Sequence, residues 1–261
     1  MKYWEREKLI LDRLGTQGFV SLKEICELTG GSVATVRRDF ETIQSKGLAQ
    51  RTHGGLQEPE KVRARKNYIN GTEILDDIDR EKQAIAREAA AQVRSGDSVF
   101  IGAGKTCNML ASMLTGVERL NVLTTSITAV LELAESPNVS LTLLGGDVHT
   151  GRSYIETLDS DISHTLRGYY FDKVFLSVEG VDLERGYTVQ DKSRTALYAQ
   201  LARMTRRLYI LVDSAKFDRR AFATVYPMDK LCRIISTRNM PQAYADYYSR
   251  RSISCTLLNI E

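Results

Sequence analysis

The stretch Ser32-Val33-Ala34-Thr35-Val36-Arg37-Arg38-Asp39-Phe40, followed by Arg51-Thr52-His53-Gly54-Gly55, decides the reading of this chain. Val33, Val36, Phe40 and Ile43 recur at i, i+3, i+7 and i+10. At about 100° per residue that spacing predicts a helix with one apolar stripe. Arg38 then points away from the stripe, flanked by Ala34, Thr35, Thr42 and Ser45, all small or hydroxyl-bearing. Such a face fits a major groove roughly 12 Å wide. Arg37 lies nearer the edge of the stripe, where a long side chain reaches a phosphate. Ser32 suits the N-cap, and the first-turn N–H groups there favour an anion. An amphipathic surface helix with two basic residues would share these local features, so the neighbours decide.

Upstream, Leu9, Ile10, Leu11 and Leu14 predict a helix that stops at Gly15, and Phe19-Val20 a short extended piece. Ser21 with Glu24 fits a capping box opening a second helix whose buried face is Leu22, Ile25, Cys26 and Leu28. Thr29-Gly30-Gly31 is a turn of the length that joins the helices of a helix-turn-helix. After the third helix, Lys46-Gly47 is a basic last turn with a C′ glycine. Leu48 to Thr52 and Leu56 fit two short strands around His53-Gly54-Gly55. Residues 1–57 therefore predict a winged helix-turn-helix, with Ser21, Ser32, Thr35, Arg37, Arg38, Arg51, His53 and Gly54 as the candidate DNA-facing set.

Two hundred and sixty-one residues suffice for this small domain and a larger one with its own core. A net charge of +3 provides no global electrostatic signature of nucleic acid, so that signal must be local. Lys61, Arg63, Arg65 and Lys66 form one basic cluster beyond the wing, which reads equally as a solvated linker. Residues 58–79, with Pro59 and Asn70-Gly71, lack apolar periodicity and are expected to connect the domains. The four cysteines have no C-x-x-C spacing, and His53, His149 and His164 have no ligand spacing, so neither a disulfide framework nor a metal is expected. No run approaches the roughly 18 apolar residues of a membrane span, and the charged N-terminus lacks a signal-peptide core. A cytoplasmic location is expected, with no membrane partner and no cofactor.

From residue 80 to residue 261 the pattern changes to strands alternating with helices. Strands are expected at 98–101, 121–124, 140–144, 173–178, 208–212 and 233–236. Helices are expected at 106–114, 127–134, 159–166, 193–205 and 241–249, together with one from Arg80 onward built on Ile85, Ala86, Ala89, Ala90 and Val93. Such alternation predicts parallel βαβ units, whose ligands collect where strand carboxyl ends meet helix N-termini. Gly102-Ala103-Gly104-Lys105-Thr106 follows the first strand, and its glycines let bare N–H groups approach an anion. It is not a P-loop, because Val99 stands where the first glycine is required. Thr124-Thr125-Ser126 and Gly145-Gly146 follow the next two strands, a pattern suited to a polyhydroxylated phosphate ester.

Residues 1–56 resemble the DNA-binding domain of the DeoR/GlpR family of bacterial sugar-metabolism regulators, whose signature runs S-x-x-T-[IV]-R-[RK]-D-[LI] and then H-G-G. Ser32, Thr35, Val36, Arg37, Arg38, Asp39, His53, Gly54 and Gly55 match it, and Phe40 replaces the usual aliphatic residue. Arg80 to the C-terminus resembles the family's sensor domain, which shares its fold with ribose-5-phosphate isomerases and CoA-transferring enzymes. The similarity rests on the glycine turn, Thr124-Thr125-Ser126, Gly145-Gly146, Phe171-Asp172-Lys173, Gly180 with Asp182 and Gly186, and Asp213-Ser214-Ala215-Lys216-Phe217. The resemblance implies a repressor, not an enzyme, released from operator DNA when a phosphorylated sugar or related metabolite binds. A homo-oligomer, dimer or tetramer, is expected, because one winged unit contacts too few base pairs for useful specificity.

The departures bear on the effector. The family's turn begins D-x-G-[ST]-T, whereas Gly102 and Lys105 occupy its acidic and hydroxyl positions here. A glutamate and lysine six residues apart are expected ahead of Asp213, where this chain has Ser193 and Ala199, with Asp191 as a possible substitute acid. The basic residue expected after Gly145-Gly146 is His149, with Arg152 nearby; His149 reads equally as a ligand contact or a surface histidine. The candidate effector set is Gly102, Gly104, Lys105, Thr106, Thr125, Ser126, Gly145, Gly146, His149, Arg152, Glu179, Asp191 and Lys216. Because the fold also hosts catalysts, a sugar-phosphate isomerase or CoA-transferase is the rival reading, with Asp147, Glu179, Asp182 and Asp191 as acid–base candidates.

Overall fold

The computed structural model describes residues 1–52, 54–57, 77–151, 154–159, 161–230 and 232–260, and two compact units divide the chain, Met1–Glu73 and Ile74–Glu261. In the first, α1 (Tyr3–Gln17), α2 (Leu22–Thr29) and α3 (Val33–Ser45) pack around Ile10, Leu14, Val20, Ile25, Val36, Phe40, Ile43 and Leu56. Strands β1 (Phe19–Ser21), β2 (Gln50–Thr52) and β3 (Gly55–Gln57) form an antiparallel sheet in the order β1-β3-β2. Helix α1 runs through Gly15 and ends at Gly18, which takes the left-handed conformation at φ +73° and donates its N–H to the Leu14 carbonyl. A glycine inside a helix costs only about 1 kcal/mol against alanine, which the packing of Ile10 and Leu14 overrides.

Two further expectations are corrected. Val33 does not join the buried stripe of α3 but is 50% exposed, and Asp39 takes the inward position instead at 4%. Leu28 is likewise exposed, leaving Ile25 as the buried residue of α2.

The second unit opens with α4 (Asp77–Ala91), so Asp77, Ile78 and Asp79 are helical, while residues 58–76 of the expected connection, with the basic cluster at 61–66, lie outside the described residues. There follow β4 (Ser98–Ile101), α5 (Lys105–Ser112), β5 (Leu120–Thr124), α6 (Ile127–Leu133) and β6 (Val139–Leu143). After the hairpin β7 (Asp147–Gly151) and β8 (Tyr154–Leu158) come α7 (Ile162–Thr165), β9 (Lys173–Ser177), β10 (Gly180–Asp182), β11 (Gly186–Val189) and α8 (Ser193–Leu201). The chain closes with β12 (Leu208–Leu211), a 3-10 turn at Ser214–Lys216, β13 (Ala223–Tyr226), β14 (Arg233–Thr237), α9 (Gln242–Arg250) and β15 (Cys255–Leu258).

Seven strands form one parallel sheet in the order β15-β14-β12-β9-β4-β5-β6. Successive residues point to opposite faces, so Val99 and Ile101 join the core under α4, α5 and α6 while Phe100 joins the core with α8 and α9. Burial on both faces explains the near-continuous apolar runs of β4, β9, β12 and β14. From β4 the chain adds β5 and β6 on one side, then returns to add β9, β12, β14 and β15 on the other. The carboxyl ends of β4 and β9 therefore flank the point where strand order reverses, where open α/β sheets form their ligand crevice.

The β7–β8 hairpin, the small antiparallel sheet β10-β11-β13 and β15 are additions to the six strands expected. The hairpin docks on the end of β5, where the Thr157 N–H donates to the Thr125 carbonyl at 2.9 Å. Gly146, at φ +134°, makes that docking possible, since a Cβ there would stand 2.4 Å from the Leu158 backbone.

Candidate functional site

In the first unit the Ser32 hydroxyl caps α3, accepting from the Thr35 N–H at 3.3 Å, and Ser21 caps α2, accepting from the Glu24 N–H at 3.1 Å. The reciprocal half of the expected capping box is replaced by a Glu24–Arg13 ion pair at 3.5 Å. Asp39 is held by a two-pronged contact from Arg6, with Nε and Nη2 donating to its two carboxylate oxygens at 2.6 and 3.0 Å. This pair ties α3 to α1 and keeps a negative charge off the outer face of the helix. Arg37 and Arg38 are exposed on that face, and neither makes an ion pair among the described residues. Ala34 is exposed and Thr35 half-buried, as a face of small side chains requires.

The wing is short. Thr52 pairs with Gly55, and Gly54 just before it adopts φ +98°. A Cβ at Gly55 would lie 2.1 Å from the Val20 carbonyl oxygen, so β3 runs against β1 only because this residue has no side chain. Arg51 is turned toward α3 and pairs with Glu41 at 3.1 Å. His53 lies outside the described residues.

In the second unit, a cavity of 280 Å³ opens at the reversal point of the sheet. Its lining gathers Ala103, Gly104, Lys105 and Thr106 after β4, Ser177 at the end of β9 and Glu179 beyond it, and Asp213 and Lys216 after β12, with Lys82, Tyr154 and Arg194 closing it. Gly104, at φ +123°, is the N-cap of α5, and a Cβ there would meet Ser177 Oγ at 2.7 Å. The first-turn N–H groups of α5, which lack intrahelical partners, thus open beside Lys105. Lys105 Nζ donates to Asp79 Oδ2 at 2.6 Å, whereas the Lys216 ammonium makes no ion pair or hydrogen bond among the described residues.

Arg194 is the most enclosed cation of the site, with a side chain 3% exposed. Its Nε donates to Glu156 Oε1 at 2.7 Å, its Nη1 meets Glu179, and its guanidinium lies 4.4 Å from the centre of the Tyr154 ring. Burial opposes the Arg194 charge, but Tyr198, Glu156 and Glu179 outweigh it and raise its pKa. Burial also dominates at Glu156, raising its pKa despite the guanidinium. Glu179 Oε2 is buried with no hydrogen-bond partner among the described residues.

The structure thus brings Gly104, Lys105, Thr106, Glu179 and Lys216 of the expected effector set around one cavity. Gly102 lies within the sheet ladder, donating to the Phe175 carbonyl at 2.9 Å. Thr125 and Ser126 are buried and do not line the cavity; Ser126 caps α6 and Thr125 Oγ1 lies 3.4 Å from Glu156. Gly145 and Gly146 launch the hairpin, and His149 on it pairs with Asp191 at 2.6 Å. Burial would raise the Asp191 pKa, but hydrogen bonds from Ser193 and the imidazole lower it overall. Arg152 lies outside the described residues. Of the acid–base candidates, Asp147 is exposed on β7 and Asp182 is held by Arg220 at 2.7 Å.

Lys82, Tyr154 and Arg194 escape a reading of the sequence, and Asp213, quoted there only within the stretch Asp213–Phe217, joins them in the lining. Arg194 is one arginine in the first turn of a polar helix, and Lys82 sits in a charged run typical of a solvated face. Neither signals the cavity locally, because Asp213, which meets Lys82, and Glu156 and Glu179, which meet Arg194, come from other elements.

Residues 6–62 match the DeoR-like helix-turn-helix domain and residues 78–238 the DeoR C terminal sensor domain. The lactose phosphotransferase system repressor of Lactococcus lactis subsp. lactis is 34% identical over 224 residues, which cover 82% of this chain and 83% of that protein. The HTH-type transcriptional regulator IolR of Bacillus subtilis is 28% identical over 98% of both chains. Ribose 5-phosphate isomerase A from Neisseria gonorrhoeae shows a distant likeness, with 14% identity, 57% of each chain and a TM-score of 0.38, which carries no argument. With both domain families matched in order and a relative of this similarity along most of its length, the chain belongs to the DeoR family of transcriptional regulators.

Proposed function

We propose that the protein represses a carbohydrate-utilisation operon, binding operator DNA as a homo-oligomer through α3 and the wing and leaving it when a phosphorylated sugar occupies the cavity. The observation that carries the DNA half is the outer face of α3. Arg37 and Arg38 stand exposed beside a hydroxyl-capped N-terminus, and Asp39 is turned inward onto Arg6. The effector half is supported by the cavity, whose Lys105, Lys216 and α5 N-terminus suit a phosphate. Glu179 and Ser177 suit sugar hydroxyls. Relatives named as repressors of a sugar phosphotransferase system point to the same class of signal. The cavity acts as a sensor and not as a catalytic centre.

Footprinting of the purified protein on DNA flanking its own gene tests the first half; protection of a two-fold symmetric site is expected, and uniform weak binding to every fragment would overturn it. A thermal-shift screen of sugar phosphates tests the second, since a ligand at 100 times its dissociation constant stabilises by about 2.7 kcal/mol. Turnover of ribose 5-phosphate by the protein would defeat the sensor reading. Sedimentation as a monomer, both free and on DNA, would defeat the oligomer.

A further inference from the structure

The first turn of α4 enters the cavity's electrostatics although most of it does not line the cavity. Asp79 is buried, with Oδ2 accepting from Lys105 Nζ at 2.6 Å and Oδ1 3.7 Å from Lys82 Nζ. Lys82 in turn stands 3.6 Å from Asp213 Oδ2. Two residues after Asp79, Glu81 is fastened differently. It accepts from the Ser214 N–H and hydroxyl, the Thr237 hydroxyl and the Asn239 amide, all at the ends of β12 and β14. The start of α4 is therefore held by two clamps, and only the Asp79 clamp closes on lysines that line the cavity.

Among the described residues, Lys82, Lys105 and Arg194 already stand against Asp79, Asp213, Glu156 and Glu179, so most of the positive charge at the site is matched by carboxylates. A phosphate monoester near neutral pH adds close to two negative charges, and at this degree of burial a carboxylate must then withdraw or take up a proton. Glu156 and Glu179 are bound to Arg194. Asp213 is fixed at a strand end and caps the 3-10 turn, accepting from the Ala215 N–H at 3.2 Å. Asp79 alone lies at the terminal turn of its element, where a helix frays most easily.

Building on the effector reading above, we infer that Asp79 is a resident competitor for the effector's anionic group. It occupies Lys105 when the cavity is empty of ligand, and an arriving phosphate displaces it. Displacement loosens the first turn of α4, the first described element after residues 58–76 that lead from the winged unit. Ligand binding is then read out at the point where the chain leaves for the DNA-binding unit. The requirement that a ligand shift an equilibrium only through differential affinity is met, because phosphate and Asp79 bring negative charge to the same ammonium, so that holding one weakens the hold on the other.

The test uses the full-length protein and inorganic phosphate as the probe, with binding followed by calorimetry. Asp79→Asn removes the competing charge at nearly constant shape and is expected to tighten phosphate binding by about 5- to 150-fold, the usual range of a coupling between sites. Lys105→Met is expected to weaken it. A merely structural Asp79 predicts equal or weaker binding in Asp79→Asn, and that result overturns the inference while leaving the anion cavity standing. Failure of phosphate to bind either protein overturns the cavity reading and this inference with it. Hydrogen exchange on the wild-type protein provides a check independent of any variant: amides of residues 77–82 are expected to exchange faster with phosphate, and unchanged protection overturns the inference.

Discussion

Arg194 and Glu156 form a buried ion pair, Nε to Oε1 at 2.7 Å, between the first turn of α8 and the hairpin strand β8. The two elements are distant in sequence, and the pair fastens the hairpin over the cavity. Replacing Arg194 with methionine strands Glu156 and Glu179 together without a counter-charge. Breaking a buried pair in this way costs about 3–5 kcal/mol. Arg194→Met is therefore expected to lower the urea midpoint of the second unit substantially. Arg194→Lys should recover only part, since a single ammonium cannot satisfy both carboxylates in the guanidinium's planar geometry. An unchanged midpoint in Arg194→Met would show that the pair does not stabilise the fold.

Arg38 and Arg37 should separate by the kind of loss their removal causes. Arg38→Ala is expected to cost about 1–3 kcal/mol on the operator and to relax sequence preference there. Arg37→Ala should weaken binding to all sequences alike and flatten the dependence on salt. Footprints at several salt concentrations distinguish the two, and wild-type preference in Arg38→Ala would count against a base contact.

Gly55 is predicted to tolerate no side chain. With a Cβ 2.1 Å from the Val20 carbonyl oxygen, Gly55→Ala must push β3 from β1, at about 1–3 kcal/mol of overpacking. Gly54→Ala sits in open space but at φ +98°, so it pays strain without a clash. Both variants should melt earlier than wild type, Gly55→Ala more so, in calorimetry of the full chain.

Lys216→Ala removes a cation that makes no ion pair or hydrogen bond among the described residues. Stability should move by less than about 0.5 kcal/mol. Sensitivity of the operator complex to inducer should fall about tenfold or more, as loss of one charge-assisted hydrogen bond requires. An unchanged release curve would remove Lys216 from the effector site.

Glu81 makes the second unit sensitive to acid. Burial would raise its pKa, but hydrogen bonds from Asn239, Ser214 and Thr237 hold it below the ordinary glutamate value. For an acid depressed in the folded state, the stabilisation is complete above the unfolded pKa of about 4.3 and fades as pH falls through the lower folded value. Urea midpoints from about pH 5 down to about pH 3 should fall in wild type and fall less in Glu81→Gln. Parallel slopes would show that another group controls the acid limb.

Short-range patterns determined the first unit and the order of elements in the second. The spacing of Val36, Phe40 and Ile43, the caps at Ser21 and Ser32 and the turn at Gly54-Gly55 are local instructions, satisfied within one or two turns of chain. The apolar runs of β4, β9, β12 and β14 were legible for a similar reason, because a strand buried on both faces has few polar positions. Tertiary structure alone decided the rest. Val33 turned outward, and Asp39 turned inward because Arg6, 33 residues before it, offers a carboxylate a better partner than solvent. The hairpin escaped notice because β7 is largely polar and exposed, while the buried positions of β8 include Glu156 and Thr157, so neither strand shows an apolar alternation. The ionic state of the cavity depends on Asp79 meeting Lys105 across 26 residues and on Glu156 meeting Arg194 across 38. Periodicity reports which face of an element is apolar; it carries no information on which distant charge will stand opposite, and the chemistry of this site lies in those pairings.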